Sequence, residues 1–287
     1  MGQLLYQHAP AARAVFDRAD QQLGFALSAL CFTGPEDELT DTVNQQPALY
    51  VTSYASYQAM LAQGWERPSF MAGHSLGEFS ALAAAGAISF ADGLALVRRR
   101  GELMKAAGEQ EPGAMAAILA LDVDKVVAVC AQASETTGKL VQLANDNCPG
   151  QVVISGDKEA LAIAMQLAQT AGARKVVELP ITIAAHSPLM ASASAEFARL
   201  VDAAAILTPQ VPVIANVSAR PLTTPAAIRA ELTAQLTAPV AWTQSMQYLV
   251  DQGVESVVEV GAGDVLLGLM KRISRSVQRI KFEEGTS

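Results

Sequence analysis

The sequence predicts an α/β fold that carries a smaller β-α-β-β-α-β unit as an insertion, and three observations lead there. The apolar segment Phe70-Met71-Ala72 runs through Gly73-His74-Ser75-Leu76-Gly77 into an alanine-rich stretch from Glu78 to Ala85, a succession of strand, sharp turn and helix. Near Glu109-Gln110-Glu111-Pro112-Gly113 the composition turns polar and breaks the pattern. From there to Pro180 short strand-like and helical segments alternate in an order of their own.

The elements follow in chain order. The chain reads as helical from Met1, with apolar residues at helical spacing from Ala11 to Leu23, then an acidic loop, Gly34 to Glu38, and a second helix from Pro47 to Gln63 ended by Gly64. Ser69 to Ala72 reads as a buried strand, and the helix after the turn extends to Gly86. Ser89 with Asp92 three residues on resembles a capping box, opening a helix to about Ala107. The inserted unit comprises a strand Ala114 to Leu121, a helix Val123 to Ser134, strands Leu140 to Asn145 and Gln151 to Ser155 around the Pro149-Gly150 turn, a helix Lys158 to Ala171, and a strand Lys175 to Leu179. That order is the ferredoxin-like split βαβ. Beyond Pro180 come a helix around Pro188 to Ala203, a strand Val213 to Asn216, helices from Pro225 and from Thr243 to Gln252, a strand Ser256 to Val260, and a glycine turn into a last helix. The polar tail Glu283 to Ser287 is the one low-complexity segment.

Composition narrows the function classes. A chain of 287 residues, 51% apolar and 17% charged, can bury a large core. No apolar run suffices to span a bilayer and the start lacks a secretory pattern, so a cytoplasmic protein is expected, with no membrane partner. A formal charge of −8, with basic clusters only at Arg98-Arg99-Arg100 and Lys271-Arg272 with Arg275, argues against nucleic acid. Cys31, Cys130 and Cys148 lack metal-ligand spacing and read as reduced thiols; His8, His74 and His186 are too scattered for a zinc site.

The chemistry centres on Ser75. Gly73-His74-Ser75-Leu76-Gly77 is a nucleophile elbow, where a side chain two places to either side of the serine is expected to collide across the turn. Serine needs a base within hydrogen-bond reach. His74 leaves the elbow in another direction and His8 has no catalytic context, which leaves His186, where an extended apolar segment ends and a helix begins. The α/β-hydrolases place their histidine late in the chain, after the acid; here none follows His186, so a backbone carbonyl could orient the base instead of an anion. On the helix striped by Phe90, Leu94, Val97, Gly101 and Met104, Arg100 faces inward. An inward arginine either packs its stem and pairs with a local carboxylate, or offers a planar fork to a substrate carboxylate. Gly261-Ala262-Gly263-Asp264 lacks dinucleotide-loop spacing and reads as a tight strand-to-helix connection. The polar run Asn145 to Gln151 reads as hairpin chemistry, with Asn145 or Asn147 able to line a cleft between the two units.

Taken together, Gly73-His74-Ser75-Leu76-Gly77-Glu78, Arg100-Gly101-Glu102-Leu103-Met104, Pro149-Gly150-Gln151-Val152-Val153-Ile154-Ser155-Gly156, His186-Ser187-Pro188-Leu189-Met190 and Glu259-Val260-Gly261-Ala262-Gly263 resemble the malonyl-CoA:acyl carrier protein transacylases and the related acyltransferase units of polyketide synthases. The resemblance implies an α/β-hydrolase-like core, residues 1–111 and 180–287, with a ferredoxin-like subdomain at 112–179. It implies transfer of malonyl from malonyl-CoA to acyl carrier protein, with no metal or redox cofactor. By the same resemblance Ser75 is expected to carry the acyl group, His186 to activate that serine, Arg100 to hold the malonyl carboxylate, and the backbone carbonyl at Gln235, in Ala234-Gln235-Leu236-Thr237-Ala238-Pro239-Val240, to orient the histidine. The family opens with a strand and a Gly-Gln-Gly-Ser-Gln segment that gives one oxyanion N–H; Met1-Gly2-Gln3-Leu4-Leu5-Tyr6 aligns just after it, so a core short of one strand is expected, with Leu76 N–H the identifiable oxyanion donor. Ala185 precedes the histidine where some malonyl-selective relatives carry phenylalanine, leaving room for an α-substituent. A thioesterase or esterase with the same nucleophile, and a catalytically silent module that binds carrier protein, are the alternatives.

Overall fold

Strand β1 (Met71–Ala72) is short, and what positions it is parallel pairing across 142 residues of sequence: Met71 with Val213 and Ala72 with Ile214 of β6. In chain order the remaining strands are β2 (Gly113–Leu119), β3 (Val141–Cys148), β4 (Gln151–Asp157), β5 (Lys175–Glu178), β6 (Val213–Ile214), β7 (Pro221–Leu222), β8 (Ser256–Glu259) and β9 (Gln278–Lys281). The computed structural model describes residues 1–282, so the polar tail Glu283 to Ser287 lies outside the described residues. The fold is mixed α/β, with β7 antiparallel to β6, β8 parallel to β9, and the four middle strands in the antiparallel order β3-β4-β2-β5.

The N-terminal helices pack ahead of β1: Gln3–His8, Pro10–Leu23, Leu27–Thr33, Glu36–Thr40 and Thr42–Ala62. Two expectations fail here. The acidic loop is largely the short helix Glu36–Thr40, because three acidic residues in its first turn complement the helix dipole. The next helix begins at Thr42 rather than Pro47, since Asp41 accepts the Val43 N–H at 3.0 Å and caps it. Pro47 therefore sits inside the helix, where its missing N–H leaves Val43 C=O without its usual partner; Arg98 Nη1 donates to that oxygen at 3.3 Å.

The helix Phe90–Gln110 is opened by Ser89, which accepts the Asp92 N–H at 3.0 Å. It lies close against Thr42–Ala62: a Cβ on Gly101 would stand 2.7 Å from Thr42 O. That approach carries Arg100 inward, 2% exposed, while Arg99 is solvated and pairs with Glu102 and Glu196. Both helices contribute to one large core with Phe16, Tyr50, Phe79, Leu82, Leu94 and Phe197.

The four-stranded sheet and the helices Val123–Thr137 and Lys158–Thr170 bury a second core around Ile118, Val126, Ile154 and Leu161. β3 runs three residues past the expected Asn145 because its end joins a third core, where Cys148 clusters with Ile214, Val240 and Trp242. Asp146 N donates to Val240 O and Val240 N donates to Ala144 O, both at 2.9 Å. The polar run there does more than close a hairpin. The three cysteines are free and buried, and no helix among the described residues is long and apolar enough to cross a membrane.

Candidate active site

Between β1 and the helix Gly77–Ala84, Ser75 takes φ 51°, a left-handed conformation that an ordinary side chain adopts only when its surroundings enforce it. Gly73 makes the turn possible, since a Cβ there would lie 2.0 Å from the Gly77 carbonyl. The matching expectation for Gly77 is wrong: a Cβ on it would meet nothing within 4 Å, because Gly77 already lies in the helix and faces open space. Gly73→Ala should therefore cost about 2 kcal/mol or more of stability, while Gly77→Ala should stay within about 0.5 kcal/mol; thermal unfolding of the pair checks the contrast.

Asn216, fully buried just after β6, grips the turn from behind. Its Oδ1 accepts the Ser75 N–H at 2.6 Å and its Nδ2 donates to Gly73 O at 2.8 Å. With the Ser75 N–H so engaged, Leu76 N–H, which donates to no acceptor among the described residues, is left available beside the serine.

His186 is 4% exposed and stands with Nε2 2.9 Å from Ser75 Oγ. Its Nδ1 lies 2.8 Å from Gln235 O and 3.2 Å from Ala238 O. Carbonyls accept only, so Nδ1 carries the proton and Nε2 is the acceptor facing the serine hydroxyl. Gln235 caps the C-terminal end of helix Pro225–Ala234, where carbonyls have no intrahelical partner and are free to accept. Burial, and next the Arg100 charge, push the His186 pKa down to about 3, so the ring is neutral at physiological pH.

Arg100 Nη2 donates to the same Ser75 Oγ at 3.2 Å and to Gln235 Oε1 at 3.0 Å; Nη1 donates to Gln46 Oε1 at 2.8 Å. Burial lowers its pKa to about 10, leaving it a cation. The local carboxylate partner that one of the two readings of Arg100 required is not in contact: among the described residues no acidic oxygen lies within 4.0 Å of the guanidinium, and its buried Nε has no acceptor. The nearest acid in the network is Glu78, fully buried behind the elbow. Its Oε1 accepts Asn216 N at 3.0 Å and its Oε2 accepts Gln235 Nε2. Burial and neighbouring Glu231 raise the Glu78 pKa, against the pull of Asn216, Gln235 and Arg100.

The structure thus brings Ser75, His186, Arg100, Gln235 and the Leu76 amide to one place. Gln46, Glu78 and Asn216 join them, although sequence reasoning gave them no role. A glutamate closing the elbow motif was the one signal for Glu78, while the other two are visible only through contacts. His74 points away as expected, with Nε2 2.8 Å from Asn147 and its ring 5.4 Å from that of Trp242. No group of three or more metal-ligating side chains occurs among the described residues.

Residues 1–284 match the acyl transferase domain family. The chain is 45% identical over 284 residues to a malonyl CoA-acyl carrier protein transacylase of Bacillus subtilis, covering 99% of this chain and 89% of that one. Its backbone is similar, with TM-score 0.96 and 38% identity, to a malonyl-transacylase solved in complex with a type II PKS acyl-carrier protein, over 100% of this chain and 92% of that one. It is also similar to the malonyl CoA-acyl carrier protein transacylase of Coxiella burnetii, with TM-score 0.95 and 36% identity over 98% and 89% of the two chains. On the extent of these matches, the chain belongs to the acyl transferase domain family, among the malonyl CoA-acyl carrier protein transacylases.

Proposed function

We propose that the protein moves a malonyl group from malonyl-CoA to the pantetheine thiol of acyl carrier protein, in fatty acid or polyketide assembly, through a malonyl-serine. The observation that carries this is a single hydroxyl, Ser75 Oγ, 2.9 Å from a neutral imidazole and 3.2 Å from a buried guanidinium. Ser75 Oγ attacks the thioester carbonyl and passes its proton to His186 Nε2; the carbon–sulfur bond breaks and the proton goes on to the CoA sulfur. The carrier thiol then attacks the ester by the reverse route, losing its proton to His186, which returns it to Ser75. Leu76 N–H stabilises the oxyanion, and Gln235 C=O holds the imidazolium as it forms.

Arg100 serves the substrate carboxylate. Its Nε lacks an acceptor and its other donors meet neutral oxygens, so an incoming carboxylate would find a charge that the protein has not paired directly. Arg100→Ala should lower malonyl transfer about a hundredfold more than acetyl transfer, read as kcat/KM for the two acyl-CoA donors. Equal losses would remove the carboxylate role.

The base must be neutral to accept a proton, and its pKa of about 3 lies below the usual 6.5. Lowering the pH through 6.5 therefore leaves His186 in its working form, and kcat/KM, which reports free-enzyme groups, should show no acid limb there. A half-titration near 6.5 in that profile would contradict the buried, Arg100-facing histidine.

For the framework, the reading is an α/β-hydrolase-like core at 1–111 and 180–287 with a ferredoxin-like subdomain at 112–179. The strand order β3-β4-β2-β5, with two helices sharing its core, supports it.

A further inference from the structure

We infer that the Gln235 side chain, separately from its carbonyl, is a positioning residue that aims Arg100 at carboxylated acyl groups, with its amide orientation set by Glu78. The inference rests on the malonyl-transfer reading. Both Glu78 oxygens accept from N–H donors, Asn216 N at 3.0 Å and Gln235 Nε2, and these bonds favour the ionised carboxylate against the burial that raises its pKa. A carboxylate only accepts, and a guanidinium only donates. Gln235 lies between them, with Nε2 toward Glu78 and Oε1 3.0 Å from Arg100 Nη2; Nε2 also donates to Ser75 O at 3.1 Å. Of the two orientations the amide could take, only this one satisfies both neighbours. The reversed amide would set oxygen against carboxylate and NH2 against guanidinium.

With Gln46 Oε1 holding Nη1 at 2.8 Å, two neutral oxygens fix the guanidinium plane and leave Nε without a protein acceptor. The bridging amide also keeps Glu78 out of direct contact with Arg100, so the cation is held without being neutralised by a touching anion. A glutamate at position 235 would destroy that arrangement.

The test lies at Gln235, because Glu78→Gln removes an acceptor and a negative charge at once, with opposite effects on an incoming carboxylate. Gln235→Met keeps the backbone carbonyl that holds His186 and changes no charge. The ratio of malonyl to acetyl kcat/KM should fall about tenfold in Gln235→Met, carried by KM for malonyl-CoA. It should fall at least as far in Gln235→Glu, where the new carboxylate meets Arg100. A merely structural glutamine would lower both rates together and leave the ratio within about twofold of the wild type, which would overturn the inference. Should Gln235→Met fail to fold, a retained ratio in Gln235→Glu overturns it equally. A folded wild type that transfers neither acyl group sinks the malonyl-transfer reading and this inference with it, whereas an active wild type beside insensitive variants sinks the inference alone.

Discussion

Ser75→Ala is expected to form no acyl-enzyme and to lose transfer by on the order of 10⁴-fold or more, with little change in stability. The hydroxyl is the one nucleophile at the meeting point of His186 Nε2 and Arg100 Nη2, at 2.9 and 3.2 Å, and alanine removes it while leaving both neighbours in place. Ser75 holds φ 51° through its own N–H to Asn216 and its carbonyl to Gln235 Nε2, neither of which the substitution touches. The loss should therefore be chemical. Rapid-quench assay of the variant with malonyl-CoA and carrier protein, beside a thermal melt, separates this from unfolding. A variant that melts like the wild type yet retains transfer within tenfold would show that another group carries the acyl chain.

His186→Ala should cost about 10³-fold in the acylation step. The ring is a base because its Nδ1 proton is committed to Gln235 C=O at 2.8 Å, which leaves Nε2 to accept from the serine. Serine and histidine act here as one unit, so the double variant Ser75→Ala with His186→Ala should be barely slower than Ser75→Ala alone. Independent, multiplying losses in single-turnover rates would mean that the histidine works elsewhere in the cycle.

Much of this was legible in the sequence because its signals are local. The elbow is a pentapeptide between a strand and a helix, and Arg100 declares itself by its place on the apolar stripe of a helix. His186 follows by elimination among three histidines, and Gln235 from the resemblance alone. What was not legible depends on contacts between distant segments. Asn216 grips Ser75 across 141 residues, and Glu78 reaches Gln235 across 157, so neither leaves a periodic or spaced trace. The helix Thr42–Ala62 begins before Pro47 because Asp41 caps it and Arg98 satisfies the carbonyl that the proline leaves open; the first is local, the second comes from another helix. Strands β1 and β6 came out shorter than their apolar runs because only two residues of each align for pairing. Gly77 failed for the converse reason: a motif glycine suggests crowding, but the space beside it is open.

The central claim is a covalent malonyl group on one hydroxyl. Incubating the full chain with malonyl-CoA, followed by intact-mass and peptide mapping, should find a single malonyl ester on Ser75 that persists in buffer and is discharged by the thiol of holo acyl carrier protein. An unmodified Ser75 in folded protein, or steady release of free malonate without an acceptor, would contradict the account.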